Sequence, residues 1–316
     1  MEHRVALACA GGLEAEAILE KLPESGLAPD SLVLLDDESR RGTRLGYGSG
    51  YLVVQDQSEF DFSGCALLLL PQSDDELEQR ALNSGCVVVG HTLNNDSPAV
   101  FSASPDTELD ITYGESRIRL ASPEICCLVP VLQALHELGG IEQLNTVFMR
   151  SAEFFGKAGV DELASQTINL LNSREATASV FPQQLAFNLL HEAGDPKLGD
   201  DLRQLLGNKS LSVTQQSVKV PLFHGFAAAV QLRLDKKVSL KDCESRLLSL
   251  TNLEIKSSLV SPISDCNQSY NGVISGLEQE LDRPTDIRFW MIADPMRYGL
   301  SNNYVNVTNF LLKSFL

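Results

Sequence analysis

Residues 5–22 read VALACAGGLEAEAILEKL and pass from an apolar run through a glycine pair into a helical pattern. Val5–Cys9 predicts a buried strand, because five small or apolar residues in a row suit the interior of a sheet. Leu13–Leu22 predicts a helix, since Ile18, Leu19 and Leu22 share one stripe. A strand, a glycine turn and a helix in this order are typical of the first unit of a parallel α/β sheet.

The same alternation continues through the first third of the chain. Four further strands are predicted, at Leu32–Leu35, Ala66–Leu70, Val87–Val89 and Arg117–Leu120. One polar helix is predicted to begin at Ser73, after the second of these strands. Strands that alternate with helices indicate a doubly wound, Rossmann-type dinucleotide-binding domain.

The pattern changes from Ser122 onward, where longer helices are mixed with long alternating strands. Helices are predicted around Val131–Leu138, Val160–Leu171 and Gln184–Leu190, with a last one at Asn303–Phe315. Strands are predicted at Thr146–Phe155, Ser212–Val220 and Phe226–Leu234, and in the stretches ending at Leu277 and Ala293. The pattern therefore predicts a doubly wound domain over residues 1–121, followed from residue 122 onward by an α+β domain with one large mixed sheet.

Composition excludes several classes of partner. The chain has 316 residues and a net charge of −17, from 42 acidic and 25 basic side chains. An anionic surface repels phosphate backbones, so neither nucleic acid nor an anionic membrane is an expected partner. No apolar run has the length of a membrane helix and no secretory signal pattern is present, so a cytoplasmic protein is expected. The seven cysteines have no CxxC spacing, and no metal site or disulfide framework is predicted.

Several segments carry a resemblance to a known family. They are GKAGVDELA at 156–164, QLAFN at 184–188, VKVP at 218–221, and Ala293-Asp294 followed by Arg297 and Gly299. In order and spacing they resemble the aspartate-semialdehyde dehydrogenase family. The resemblance implies a Rossmann-type domain of residues 1–121 and 297–316, an inserted sheet domain of residues 122–296 that forms a homodimer, and a carboxyl-terminal helix returning to the first domain. It also implies the reduction of an acyl phosphate to an aldehyde by a nicotinamide cofactor, through a thioester on a cysteine.

The family's nucleophile lies in a segment that is here SPEICC, residues 122–127. Alignment on Pro123 puts Ile125 at the position of the thiol, and an isoleucine has no nucleophilic atom. A shift of one residue would let Cys126 serve, with its thiolate favoured near a helix amino terminus. Pro130 predicts a later start of that helix, because proline is best tolerated in the first turn. A cysteine pair ahead of an apolar helix is also compatible with simple packing.

The acid/base position of the family falls on Phe226, in KVPLFHGF at 219–226. Phenylalanine can neither donate nor accept a proton. His224 lies two residues earlier, on the same face if the stretch is extended, so it is a candidate displaced base. The alternative is an ordinary, partly exposed histidine.

Three more positions of the family's site depart from its pattern. The glutamine that orients the thioester falls on Arg150, and the arginine for the substrate carboxylate falls on Lys219, which keeps the charge but not the bidentate fork. Glu153-Phe154-Phe155 replaces a small turn, which predicts a filled nicotinamide space and a carboxylate that repels phosphate. The family's phosphate-binding arginine aligns near Asn95 or Asp96, so that cation is missing.

The cofactor loop is altered as well. The family pattern G-x-x-G-x-x-G falls on Cys9, Gly12 and Ala15, so Ala10, Gly11 and Gly12 remain as candidate nucleotide contacts. Glu14 and Glu16 stand in the first helical turn, where a phosphate would otherwise be favoured. Downstream, Ser39, Arg40 and Arg41 resemble the turn for the adenosine 2′-phosphate, or form plain solvated surface. NADP binding is expected to be weak or absent.

The retained folding residues and the altered chemistry resemble a Usg-like branch of paralogues within the family. The leading hypothesis is a non-catalytic homodimer that acts by binding a nucleotide, a small metabolite or a protein, including an active paralogue. The alternative is an NADP-dependent oxidoreductase for an aldehyde or acyl substrate, with a rearranged Cys126/His224 site.

Overall fold

The computed structural model describes residues 4–93, 97–102, 109, 111 and 114–314, which divide into two compact units. The first unit comprises residues 1–126 with 299–316, and the second comprises residues 127–298. Each unit contains one seven-stranded sheet. The expected α/β architecture, with a Rossmann-type domain and a second domain on a large mixed sheet, is confirmed.

The sheet of the first unit has the strand order β3-β4-β2-β1-β5-β6-β7. Its strands are β1 (Arg4–Leu7), β2 (Leu32–Asp36), β3 (Arg44–Tyr47), β4 (Gly50–Asp56), β5 (Cys65–Leu69), β6 (Val87–Gly90) and β7 (Arg117–Arg119). Helices α1 (Leu13–Lys21) and α2 (Asp75–Asn83) connect strands, and α7 (Asn302–Ser314) lies against α1. All neighbouring strands pair in parallel except β3 and β4. Strands buried on both faces are typical of parallel sheets, which explains the continuous apolar runs in the sequence.

Strands β3 and β4 were not predicted from the sequence. Tyr47 pairs with Gly50 in a tight hairpin, and Gly48 has a φ of +55° in its turn. Most side chains of both strands are exposed, so the apolar alternation that marks a half-buried strand is weak here. The hairpin forms because β4 adds to β2 in parallel, which is a tertiary contact.

The sheet of the second unit has the order β12-β13-β14-β11-β8-β10-β9. Its strands are β8 (Ile141–Arg150), β9 (Leu190–Glu192), β10 (Ser212–Lys219), β11 (Phe226–Leu234), β12 (Leu253–Lys256), β13 (Gly272–Gln279) and β14 (Asp286–Ala293). The helices here are α4 (Gly156–Leu171), α5 (Pro196–Leu205) and α6 (Leu240–Leu248), while α3 (Pro123–Gly139) begins in the first unit. Parallel pairing of β8 with β10 and antiparallel pairing of β8 with β11 make the sheet mixed.

The two faces of this sheet differ. Alternate residues of its central strands are buried on one face, among them Phe148, Ala228 and Met291. The opposite face presents amides and apolar side chains around a groove of about 480 Å³, which Asn145, Val147, Gln216, Ala229 and Trp290 help to line.

Three local predictions were wrong. Residues 184–189 are irregular with one turn and are not a helix, because Gln166 of α4 binds the backbone N–H groups of Leu185 and Ala186. Helix α3 already begins at Pro123 and carries Pro130 inside it, so Pro130 does not delay its start. The strand predicted to reach Phe155 ends at Arg150, and Ala152–Phe155 form a 3₁₀ turn.

Within the described residues, no helix combines the length and apolarity that crossing a bilayer requires.

Candidate functional site

Three of the family positions come together in one row of the second unit's sheet. Arg150 at the end of β8 is opposite Phe226 at the start of β11 and opposite Lys219 at the end of β10. The three strands are direct neighbours, so Arg150 lies beside residues that are 69 and 76 positions further along the chain, at one end of these strands. The sequence identified these positions from the family pattern, and the strand register explains why they belong together.

The two cations of this row share one carboxylate. Glu192 on β9 accepts a hydrogen bond from Lys219 Nζ at 2.6 Å and another from Arg150 Nη1 at 3.0 Å. Burial raises the pKa of Glu192, but Lys219 and Arg150 outweigh it and hold the pKa below its ordinary value. Lys219 is only 7% exposed. A charge buried to this extent needs a partner, and Glu192 supplies it.

Aromatic rings fill the space around the row. The Phe226 side chain is fully buried, with its ring centroid 5.6 Å from Phe148 and 6.0 Å from Phe154. Phe155 packs against Phe181 at 5.3 Å, and the Lys219 ammonium lies 4.8 Å from the Phe155 centroid. The position where the family has its acid/base side chain is thus held by the buried ring of Phe226. The cation–π contact with Phe155 further stabilises the position of the Lys219 ammonium.

Glu153, whose carboxylate is expected to repel a phosphate, lies in the interior. It is buried and accepts hydrogen bonds from Ser151 Oγ at 3.2 Å and from the backbone N–H of Gly225. His224 Nδ1 lies 3.1 Å from its other oxygen. This hydrogen bond raises the pKa of His224, although partial burial acts in the opposite direction. The pair ties the turn before β11 to the turn after β8.

The charge of Glu153 also acts on a second buried carboxylate, that of Asp294. Asp294 follows β14 and accepts from the backbone N–H groups of Met296 and Arg297, at 3.1 and 2.9 Å. Burial, together with the charge of Glu153, raises its pKa. The family-like Asp294 and Arg297 therefore close a turn, with the Arg297 guanidinium 3.5 Å from the carboxylate.

The cysteine candidate lies in the first turn of α3. Cys126 is 1% exposed; its thiol donates to Ala121 O at 3.3 Å and accepts from Asn303 Nδ2 at 3.5 Å. Burial raises its pKa to about 12, which outweighs the lowering by Asn303. The thiol is protonated at neutral pH and is a poor nucleophile. Ile125 beside it is also buried.

The dinucleotide loop of the first unit keeps its turn without its first glycine. Cys9 has a φ of +53°, in the left-handed region, and its carbonyl accepts from Gly12 N at 2.8 Å. A non-glycine residue there is strained by about 1 kcal/mol. Burial and then the carboxylates of Asp36, Asp74 and Glu14 raise the pKa of Cys9 to about 11.

Side chains of the chain itself fill this loop. A side chain added at Gly11 would overlap the guanidinium of Arg40, and one added at Gly12 would crowd Gln72 Nε2. Gln72 donates to Glu14 in the first turn of α1 at 2.8 Å. The Gly11 N–H is bound by Asp36 Oδ2 at 2.7 Å.

The other predicted phosphate contacts also have partners. Arg41 Nη1 lies 3.0 Å from Glu59, and Ser39 hydrogen-bonds to Asp37 through both its backbone N–H and its hydroxyl. Asn95 and Asp96 lie outside the described residues. Among the described residues, no group of three or more metal-ligating side chains is present.

Sequence reasoning missed Glu192, Asp36 and Gln72. Glu192 lies on a strand of three residues, and its partners are 42 and 27 positions away. Asp36 had an available signal, because an acidic residue at the end of the second strand is a feature of dinucleotide-binding folds. Nothing local to Gln72 indicates its contact with Glu14.

The fold and the residues of the site loops together define a class of protein. This class is the two-domain α/β dehydrogenases with a Rossmann-type first domain. A family model described as "Semialdehyde dehydrogenase, dimerisation domain" matches residues 128–298, which is more than half of the 316-residue chain. The chain belongs to the aspartate-semialdehyde dehydrogenase family.

Curated relatives match over almost the full length. An aspartate-semialdehyde dehydrogenase of Legionella pneumophila is 27% identical, with 99% of this chain and 96% of the relative covered. A "USG-1 protein homolog" of Pseudomonas aeruginosa is 26% identical, covering 99% of this chain and 98% of the relative. The crystal structure of aspartate semialdehyde dehydrogenase II of Vibrio cholerae, complexed with ASA, superposes with a TM-score of 0.87 at 24% identity, covering 100% of both chains. At that identity the last comparison supports the fold alone.

Proposed function

We propose that this protein is a non-catalytic, Usg-like member of its family, a homodimer that acts by binding a nucleotide, a small metabolite or a protein partner. The observation that supports this most directly is Phe226. The position that would need a proton-transferring side chain holds a fully buried ring, packed between Phe148 and Phe154. A general acid/base is typically worth about 10²- to 10⁴-fold in rate.

The other positions point the same way. Ile125 provides no thiol, and the neighbouring thiol of Cys126 has a pKa raised to about 12 by burial. Losing a covalent nucleophile can cost on the order of 10⁶-fold in rate. Arg150 and Lys219 are bound to Glu192, so neither cation is free to hold a substrate carboxylate without breaking that ion pair. An oxidoreductase based on Cys126 and His224 is therefore not favoured.

We further propose that the homodimer forms through the face of the second unit's sheet that carries the groove, which we call the open face. That face includes Ala229 and Trp290 and carries a groove of about 480 Å³. The match to a dimerisation domain covers all strands of this sheet. Interfaces of permanent dimers commonly bury about 2,000 Å² or more, which a seven-stranded face can supply.

The test of the catalytic proposal is an assay of the purified protein with aspartate semialdehyde, phosphate and NADP. We expect turnover below about 1 s⁻¹, the low end for ordinary enzymes. The Legionella pneumophila relative, assayed in parallel, controls for substrate quality. Turnover above that level, abolished by Cys126→Ser, would contradict the proposal and establish the rearranged site. A thiol titration adds a second measurement, because a working enzyme has one cysteine far more reactive than the other six.

A further inference from the structure

Arg40 occupies the dinucleotide loop from within the chain. Its guanidinium lies against Gly11, where an added Cβ would overlap Nη1, Cζ and Nε. Its Nε is 3.8 Å from Asp36 Oδ2. The glycine at position 11 therefore makes room for an arginine of the same chain. The Arg40 side chain remains 36% exposed, so it is held at the surface and can leave without disturbing the core.

Asp36 has a second role in this arrangement. It stands at the carboxyl end of β2 and accepts the Gly11 N–H at 2.7 Å. In doubly wound folds the loop N–H groups approach a pyrophosphate, and an acidic residue at this strand end accepts the 2′-hydroxyl of the adenosine ribose. In this chain the Gly11 N–H and the Asp36 carboxylate bind each other, and the Arg40 guanidinium lies against them.

We propose that Arg40, Asp36 and Gly11 form a latch that closes the loop, and that the opened loop selects a dinucleotide with a free 2′-hydroxyl, of the NAD type, over a 2′-phosphorylated one. This inference rests on the proposed function in that nucleotide binding is one of its routes. Arg40 then acts as an internal occupant of the site and not as a ligand of the 2′-phosphate.

The charges around the loop support this selectivity. Asp36, Asp74 and Glu14 each lie close enough to Cys9 to raise the pKa of its thiol. A 2′-phosphate would bring about two more negative charges into that field, whereas a hydroxyl brings none. Ser39 and Arg41, the other candidates for a 2′-phosphate, are bound to Asp37 and Glu59.

The experiment compares Arg40→Ala with Arg41→Ala, which removes the same charge one residue away. NADH and NADPH are titrated into the wild type and both variants, and binding is followed by the fluorescence of the reduced nicotinamide. We expect Arg40→Ala to bind NADH at least tenfold more tightly than the wild type, and tenfold more tightly than NADPH. Arg41→Ala should behave as the wild type, which binds both weakly. Melting temperatures establish that each variant is folded, and Arg40→Gln repeats the test with a longer neutral side chain.

Weaker or unchanged NADH binding in both Arg40 variants would overturn the latch, because it would make Arg40 a ligand or a bystander. A preference for NADPH in the opened loop would overturn the role of Asp36. As a further check, Asp36→Ala in the Arg40→Ala background should remove the preference for NADH. These titrations involve no turnover, so their failure is separate from a failure of the non-catalytic proposal, which the enzymatic assay decides.

Discussion

At the scale of single residues, one carboxylate sets the charge of the candidate site. Glu192 joins Lys219 and Arg150, and the net charge of the three is +1. The row Arg150–Lys219–Phe226 thus combines retained positive charge with a loss of proton-transfer chemistry. This combination supports the proposal that the site is non-catalytic.

We expect Glu192→Ala to destabilise the protein by about 3 kcal/mol, because a buried ammonium loses its counterion. Urea denaturation monitored by circular dichroism measures the loss. Glu175→Ala, which removes an exposed carboxylate from a loop of the same unit, should change the free energy of unfolding by less than about 0.5 kcal/mol. Adding Lys219→Met to Glu192→Ala should recover part of the loss. If Glu192→Ala is as stable as the wild type, the ion pairs do not matter for stability.

His224 predicts a pH dependence with a definite sign. Glu153 raises its pKa in the folded state above the ordinary value, so its contribution is fully present below about pH 6.5. The contribution is lost as the pH rises through the folded-state pKa. Because the side chain is 45% exposed, we expect a loss of only about 0.5 kcal/mol between pH 5.5 and 8.

Urea denaturation of the wild type and His224→Gln at several pH values measures this difference. The variant should lose less stability than the wild type over the interval, while His191→Gln, at an exposed position of β9, should follow the wild type. A variant that parallels the wild type would show that the Glu153 pair contributes nothing to the pH dependence.

At the scale of elements, helix α4 explains why the family-like segments 156–164 and 184–188 occur together. Buried Gln166 accepts from the backbone N–H groups of Leu185 and Ala186 at 2.8 and 3.1 Å. Glu162 accepts from Ser179, Val180 and Phe181 in the same way. Phe187, directly after the two anchored residues, has a φ of +59° and is 68% exposed. The motif residues thus fix a loop, and they say nothing about catalysis.

Gln166→Leu should cost about 2–4 kcal/mol, because two backbone N–H groups lose their acceptor in a buried site. Urea denaturation gives the free energy, and hydrogen exchange should accelerate at the amides of Leu185 and Ala186. Gln183→Leu, an exposed glutamine of the same loop, is the matched control and should be neutral. Unchanged protection at both amides would contradict the anchoring role of Gln166.

At the scale of the whole molecule, the matched dimerisation domain predicts two copies of the chain in solution. Ala229→Arg on the open face of the sheet should yield a monomer in sedimentation velocity at micromolar concentration, because it places a charge in the middle of the proposed interface. Ala158→Arg on an exposed position of α4 makes the same chemical change elsewhere and should leave the dimer intact. A wild type that sediments as a monomer would refute the homodimer, and a dimeric Ala229→Arg would place the interface on another surface.

Residue patterns alone predict the fold class and most of the strands and helices. Continuous apolar runs such as Ala66–Leu70 are decisive because a strand buried on both faces needs an apolar residue at every position. The family pattern also located Arg150, Lys219 and Phe226. The chemistry of these side chains follows from residue type alone, since a phenylalanine transfers no proton. Glycine spacing likewise pointed to the loop at Ala10–Gly12.

Tertiary structure alone decided which groups satisfy these residues. Glu192 binds Lys219 and Arg150, and the three residues lie on three neighbouring strands. Gln166 binds the backbone of residues 184–189, which therefore do not form a helix. Arg40 lies against Gly11. Each contact joins residues 19 to 42 positions apart, far beyond the helical and strand periods that a sequence reveals. Charge and hydrogen-bond pairing depends on distance in space, so only the folded chain assigns the partner that neutralises a buried cation or closes a loop.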